Sequence, residues 1–316
     1  MDRMHFIKTV DSGSSQPAKV KRMSRIFDSL STASGHGANA APNPRPGLPP
    51  TREQLHAPAS AEDSTNAGNQ GAPLTLPPLS KDQPSQAPIS NGHEWSPDAS
   101  RLLFQNNNGK HIAAIEQFRN VRSRLWQIRQ RQPFSRILVC SARPKEGRTF
   151  VAANLAHALV RQKGRRVLLI DGDLRNPGLH TYLGASREPG LSNYLAANAD
   201  RSEIVQSGSI RDLSFIPSGA PSPEAAELLS NGRLEVLLKD CGNYDWIVVD
   251  SPSLATVCDA SILSDVCDGI LLVVEAAKTS IDLAERVQRE FDKPMLGVVL
   301  NRLNGAGNHS QTKATA

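Results

Sequence analysis

The stretch Ser141-Ala142-Arg143-Pro144-Lys145-Glu146-Gly147-Arg148-Thr149 does more than any other to limit what this chain can fold into. An apolar strand run, Ile137-Leu138-Val139-Cys140, leads into it. A helical stretch from Thr149 to Lys163 follows and closes on a basic turn before Gly164. The order fits Ala or Gly, four residues, then Gly-Lys-Ser/Thr: Ala142, Gly147 and Thr149 are in place, and Arg148 stands where the lysine is expected. A loop of this kind turns backbone N–H groups toward phosphate oxygens at a helix start, and its threonine hydroxyl serves a magnesium ion. The candidate phosphate-contacting residues are therefore Ala142, Pro144, Lys145, Glu146, Gly147, Arg148 and Thr149.

Two further apolar runs end in acid. Val167–Ile170 runs into Asp171-Gly172-Asp173-Leu174-Arg175, and Trp246–Val249 into Asp250-Ser251-Pro252. In open parallel sheets, ligands gather outside the carboxyl ends of the strands. Asp171, Asp173 and Asp250 are thereby expected beside the loop, where they hold magnesium directly or through water. The plainer alternative is that these carboxylates only cap helices.

The chain divides by composition. Of its 22 prolines, 13 precede residue 101, in a stretch rich in Ser, Ala, Asn and Gln whose only aromatics are Phe6, Phe27 and Trp95. Such a segment cannot bury enough apolar surface to offset its ordering entropy, so 1–105 is expected to be a disordered leader, with a short amphipathic helix over 22–31. A folded domain is expected over 106–303 and a flexible tail over 304–316. Ile115, Phe118, Val121, Leu125 and Ile128 recur at helical spacing. Strands then alternate with helices. The strands are 137–140, 167–170, 213–216, 246–249, 270–274 and 296–300; the later helices are 191–197, 223–239, 259–266 and 280–291. That alternation predicts α/β architecture, a mostly parallel sheet covered by helices on both faces.

Charge and cysteine narrow the function classes. The net charge is +5, yet residues 137–316 hold 19 basic against 21 acidic side chains. The basic excess sits in 111–136, where Arg119, Arg122, Arg124, Arg129, Arg131 and Arg136 face Glu116 alone. This helix reads as a solvated face, a subunit contact or an anionic-surface contact. Cys140, Cys241, Cys258 and Cys267 have no Cys-x-x-Cys spacing and are expected as buried thiols. The eight histidines form no metal pattern; His157 and His180 are expected to be structural or exposed. No apolar run approaches the ~20 residues of a membrane span, and no signal-type apolar segment opens the chain. The expectation is a cytoplasmic protein.

Taken together, these residues resemble the bacterial tyrosine kinases of capsule and exopolysaccharide synthesis, within the MinD/ParA group of P-loop ATPases. Ser141, Pro144, Glu146, Gly147 and Thr149 match that family's loop, Asp171, Asp173 and Arg175 its second motif, and Ile247–Pro252 its third. Glu116, Arg119 and Arg122 match its Glu-x-x-Arg-x-x-Arg self-association motif. The resemblance covers roughly 112–302 and implies a P-loop NTPase fold and an ATP-dependent protein-tyrosine kinase. Thr149, Asp173 and Asp250 would organise Mg²⁺, Asp171 would activate the tyrosine hydroxyl, Arg148 would act at the phosphates and Asn301 would contact adenine. It also implies homo-oligomers through Glu116, Arg119 and Arg122, and a partner in the cytoplasmic tail of a transmembrane polysaccharide co-polymerase that recruits the chain to the membrane's inner face. Nucleic acid is not expected as a partner. Two departures stand out: Lys145 and Arg148 replace the family's loop glycine and lysine, and 304–316 holds no tyrosine. Tyr182, Tyr194 and Tyr244 are the only tyrosines, Tyr244 expected as packing and the other two open as acceptors. An active kinase weakened by Arg148 is the leading reading. A pseudokinase scaffold of polysaccharide assembly, and an ATPase switch on membrane or DNA, stand beside it.

Overall fold

The computed structural model describes residues 3–7, 94–97, 101–105, 111–254, 258–276 and 278–303. The helix expected at 22–31, most of the expected leader and the tail at 304–316 lie outside them. In chain order come β1 (Arg3–Ile7), β2 (Glu94–Trp95), α1 (Ile112–Arg131), β3 (Arg136–Ser141), α2 (Arg148–Val160), β4 (Val167–Asp171), α3 (Leu179–Leu183), α4 (Leu191–Leu195) and α5 (Arg201–Ile204). There follow β5 (Gln206–Gly208), β6 (Leu213–Ile216), α6 (Ala225–Ser230), α7 (Arg233–Asp240), β7 (Trp246–Asp250), α8 (Asp259–Asp265), β8 (Gly269–Glu275), α9 (Ile281–Arg289) and β9 (Met295–Leu303).

The strands form one nine-stranded sheet of order β1-β9-β8-β3-β7-β4-β6-β5-β2 among the described residues. From β9 to β6 all neighbours run parallel. β1 joins β9 antiparallel, and β5 joins β6 antiparallel. Because side chains alternate across a strand, each apolar run feeds two cores. Leu138, Leu168, Ile170, Ile247 and Leu272 pack on one face, with Leu191, Leu237, Leu263 and Ala284 from α4, α7, α8 and α9. Ile137, Val139, Leu169, Val248 and Leu271 pack on the other, with Phe118 and Leu125 of α1, Leu155 and Leu159 of α2 and Leu183 of α3. The expected mostly parallel sheet with helices on both faces is what the chain forms.

Differences from the sequence reading have local causes. The helix expected over 223–239 is two helices, α6 and α7, because Gly232 sits at φ +82° between them. Asn231 fixes the break by donating to Leu195 O at 2.9 Å and accepting from Arg233 N at 3.0 Å. The short elements β2, α3, α5 and β5 carry too few residues to show a period. Cys258 is exposed, whereas Cys140, Cys241 and Cys267 are buried as expected.

The core also takes in side chains upstream of the expected boundary at 106. Trp95, Leu102 and Leu103 are buried. Trp95 lies across Gly208, where any Cβ would run into the indole. Leu103 N donates to Asn154 Oδ1 at 2.9 Å, and Asn154 Nδ2 donates to Arg101 O at 3.3 Å, tying this segment to α2. Phe104 stacks at 5.2 Å on His157 of the same helix. Among the described residues no helix is long and apolar enough to cross a membrane.

Trp95→Ala should lower the unfolding free energy by about 3–5 kcal/mol in urea titrations, as large core truncations do. A loss below ~1 kcal/mol would place the segment outside the core. His157 offers a pH test. Burial, with Arg161 beside it, lowers its pKa to about 4. The unfolded chain takes up this proton near pH ~6.5, so between there and pH 4 it binds more protons than the fold, and stability falls as pH falls. His157→Phe keeps a ring against Phe104 and should flatten that slope by on the order of 2–3 kcal/mol between pH 7 and 4. Equal slopes would show that His157 is protonated in the fold without cost.

Candidate functional site

The loop between β3 and α2 is braced from inside. Ser141 Oγ donates to Arg143 O at 2.8 Å. Glu146, 2 % exposed, folds its carboxylate inward and accepts from Arg143 N at 2.8 Å and from the Thr279 hydroxyl. Asn301 Nδ2, at the end of β9, donates to Glu146 O at 2.8 Å. Gly147 turns the chain into α2 at φ +92°, and a Cβ there would collide with Asn301 Nδ2. Lys145 also lies in the left-handed region, at φ +66°, strain that a glycine would not carry. Arg143, Pro144 and Lys145 are exposed at the loop's crest.

The acidic strand ends meet the loop. Asp171 and Asp250 are register partners across β4 and β7, and Gly172 N donates to Asp250 O at 2.8 Å. A Cβ at Gly172 would lie 2.8 Å from that oxygen, so the two chains approach only because residue 172 lacks one. Asp171 is fully buried and held by backbone: Oδ2 accepts from Gly178 N at 3.1 Å and Leu179 N at 3.0 Å, and Oδ1 from Asp173 N at 3.3 Å. Asp173 Oδ1 accepts from Asn176 N at 2.9 Å, while Oδ2 pairs with the Arg148 guanidinium. Arg148 Nε lies 3.5 Å from Asp250 Oδ1, and neither atom has a hydrogen-bond partner. The Thr149 hydroxyl lies beside the Asp250 carboxylate and favours its charged form.

Burial raises the pKa of both Asp171 and Asp250. At Asp171 the nearby Asp250 adds to the rise and the Leu179 amide opposes it. At Asp250, Arg148 and Thr149 oppose it. Pro144, Lys145, Arg148, Asp173, Arg175, Asn176, Pro252 and Ser253 line a cleft of about 460 Å³ over this cluster. Arg175 is itself fixed by a two-pronged pair with Asp259, at 2.7 and 3.2 Å, and by a bond to Pro223 O at 2.7 Å.

The structure thus brings together the expected loop residues, Asp173, Asp250 and Asn301. Asp173 lines the cleft, Asp171 and Asp250 lie buried beneath it at the same sheet end, and the Asn301 amide faces the loop backbone. Among the described residues no three His, Cys, Asp or Glu side chains converge as a metal-ligand set. Glu116, Arg119 and Arg122 lie on α1. The first two pair with each other, and Arg122 Nη1 donates to Ala158 O at 2.9 Å, near the end of α2 farthest from the loop. Thr279 and Asp259 were not singled out from sequence; each meets its partner across the fold, with no spacing signal. All three tyrosines lie beneath arginines: Tyr182 under Arg101 (5.5 Å), Tyr194 under Arg233 (4.7 Å) and Tyr244 under Arg166 (5.2 Å).

Asn301→Ala should cost about 1–1.5 kcal/mol in urea unfolding, the net value of a buried hydrogen bond. Gly147→Ala should cost about 1–3 kcal/mol for its backbone strain, plus the collision with Asn301. In the double mutant that collision is gone, so the two costs should fall short of additive by about 0.5 kcal/mol or more. Strict additivity would separate the two residues.

Comparison with known proteins places this arrangement. Residues 137–315 match the family model "CobQ/CobB/MinD/ParA nucleotide binding domain". The chain is 33 % identical over 190 residues to tyrosine-protein kinase YwqD of Bacillus subtilis (strain 168), covering 59 % of this chain and 80 % of that one. It is 33 % identical over 204 residues to the succinoglycan biosynthesis transport protein ExoP of Rhizobium meliloti (strain 1021), covering 62 % of this chain but only 26 % of ExoP. The solved kinase domain of the Escherichia coli tyrosine kinase ETK superposes with a TM-score of 0.57 at 30 % identity, over 65 % of this chain and 80 % of that one. A braced loop of this form, two acidic strand ends beside it and these likenesses lead to one assignment: the chain belongs to the CobQ/CobB/MinD/ParA nucleotide-binding family, in its branch of bacterial tyrosine-protein kinases.

Proposed function

We propose that the cleft binds ATP with Mg²⁺ and that the chain transfers phosphate to a tyrosine of another protein in exopolysaccharide or capsule biosynthesis. The observation that carries this reading is Arg148, placed at the start of α2 between the phosphate loop and the carboxylates of Asp173 and Asp250. Backbone N–H groups at the start of α2 would hold phosphate oxygens, with Lys145 and Arg148 adding charge at the rim. Two carboxylates and the Thr149 hydroxyl are the hard-oxygen donors that suit magnesium, which takes few protein ligands and completes its shell from phosphate and water. When bound, Mg²⁺ supplies neutralisation of charge on the transferring phosphoryl group.

Asp171 has the raised proton affinity that a base for a tyrosine hydroxyl needs. Its Oδ2 is held by the Gly178 and Leu179 amides, which leaves Oδ1, with one 3.3 Å bond from Asp173 N, as the oxygen that would take the proton. The acceptor tyrosine belongs to a second protein: the tail 304–316 holds no tyrosine, and the ring of each of this chain's three is engaged by an arginine. The partner is then the cytoplasmic tail of a membrane-spanning polysaccharide co-polymerase, which brings the chain to the inner face of the membrane. The exposed Glu116–Arg119 pair on α1 is the point through which copies self-associate. A second reading, a scaffold without phosphoryl transfer, draws support from the same ion pairs, since they occupy the groups that catalysis needs.

Titration calorimetry with ATP and Mg²⁺ should show binding that Thr149→Ala or Asp250→Asn weakens about tenfold or more, roughly 1.4 kcal/mol. Phosphotyrosine should then appear on a tyrosine-bearing partner tail and not on the protein itself. Absence of ATP binding would end the kinase reading and leave the scaffold.

A further inference from the structure

We infer that Arg148 is the cleft's own counter-cation: its guanidinium stands where a divalent metal would sit between Asp173 and Asp250, and it keeps metal out until an anion draws it away. The inference rests on the nucleotide reading only for the identity of that anion.

The charges around the cluster support this. Asp171 is met by three backbone donors and contacts no cation among the described residues. Asp173 and Asp250 are nearly sealed from water, and the one cation that either contacts, among the described residues, is Arg148, itself 13 % exposed. The Asp250 Oδ1 atom is buried, lacks a hydrogen-bond partner and faces the guanidinium at 3.5 Å. An unpartnered carboxylate oxygen beside a second carboxylate is a set of donors that a divalent ion would complete, and one guanidinium spans both.

The residue type matters. A planar fork can face two carboxylates at once, whereas a lysine ammonium acts as a point charge. Arg148 is also the first residue of α2, where the helix dipole disfavours a positive side chain. The two carboxylates offset that repulsion, so the arginine leaves them only for another anion. Phosphate at the loop supplies one at the same helix end. Metal and guanidinium cannot share the position, since adding a divalent cation beside a buried guanidinium brings like charges together. Metal entry therefore follows phosphate entry.

Mn²⁺ serves as the probe, with free ion measured by electron paramagnetic resonance on the full chain without nucleotide. The wild-type chain should bind Mn²⁺ only weakly. Arg148→Met should gain a single site at least about tenfold tighter, and Arg148→Met with Asp173→Asn should lose it again. Circular dichroism checks the fold. Should Arg148→Met fail to fold, Arg148→Lys decides, with a gain of several-fold expected because one carboxylate is released. Equal Mn²⁺ binding by the wild type and whichever variant folds overturns the inference, as does a gained site that survives Asp173→Asn. None of these readouts uses ATP, so a failure of the nucleotide reading would show separately, in the calorimetry.

Discussion

Three carboxylates come within reach of one another at the ends of β4 and β7, nearly without water, and the arrangement around the cleft follows from how each is compensated. Burying an ionised carboxylate is costly unless hydrogen bonds or a cation meet it. Asp171 receives the amides of the turn into α3, which fixes that turn. Asp173 receives the Asn176 amide and a guanidinium, and Asp250 the same guanidinium, with the Thr149 hydroxyl beside it. Gly172 and Gly147 are where backbone must pass close to backbone or amide for this to close. Remove the central charge and two acids would share a sealed space, a situation that drives at least one toward its protonated form.

Arginine works differently on α1. Its basic excess reads from sequence as a surface feature, yet much of it is turned inward. Arg122 meets the last turn of α2, and Arg129 donates to Asp245 O at 2.7 Å while lying 4.4 Å over the Trp246 ring. Just beyond the helix, Arg136 reaches Val266 O at 3.3 Å. A guanidinium offers five N–H donors and a face that stacks on aromatics, so it can bind carbonyls at element ends where a hydrophobic residue would leave them unpaired. Charge counting sees the excess but not the acceptors, which come from residues far along the chain.

The central strands were legible because each buries both faces and reads as a continuous apolar run; 213–216 coincides with β6, and the others extend by a residue or more. The short elements β2, β5, α3 and α5 were not, since none is a continuous apolar run and neither period shows in so few positions. The break at Gly232 was written in Ser230-Asn231-Gly232 but was outweighed by the helical pattern on either side. In the site, residue types and order were legible because loop and strand-end positions are local properties. Which carboxylate the backbone would claim and which the arginine would claim was not, since that depends on how the turn at Gly178–Leu179 folds back. Asn301 was read as a group facing ligand, whereas its amide serves the loop from behind.

The link between Asn301 and the loop bears on the order in which the molecule can become functional. Glu146 and Asn301 are 155 positions apart. During synthesis the loop leaves the ribosome long before the amide that shapes it exists, so β3 and α2 can form while Gly147 is still unsupported. Among the described residues, the strand that carries Asn301 pairs only with β8 and β1. The loop's bracing is thus finished by a strand that joins late, and the same strand brings Val298 and Leu300 into one core and Leu296 and Val299 into the other, so a nascent chain completes its packing and the support of Gly147 in one event.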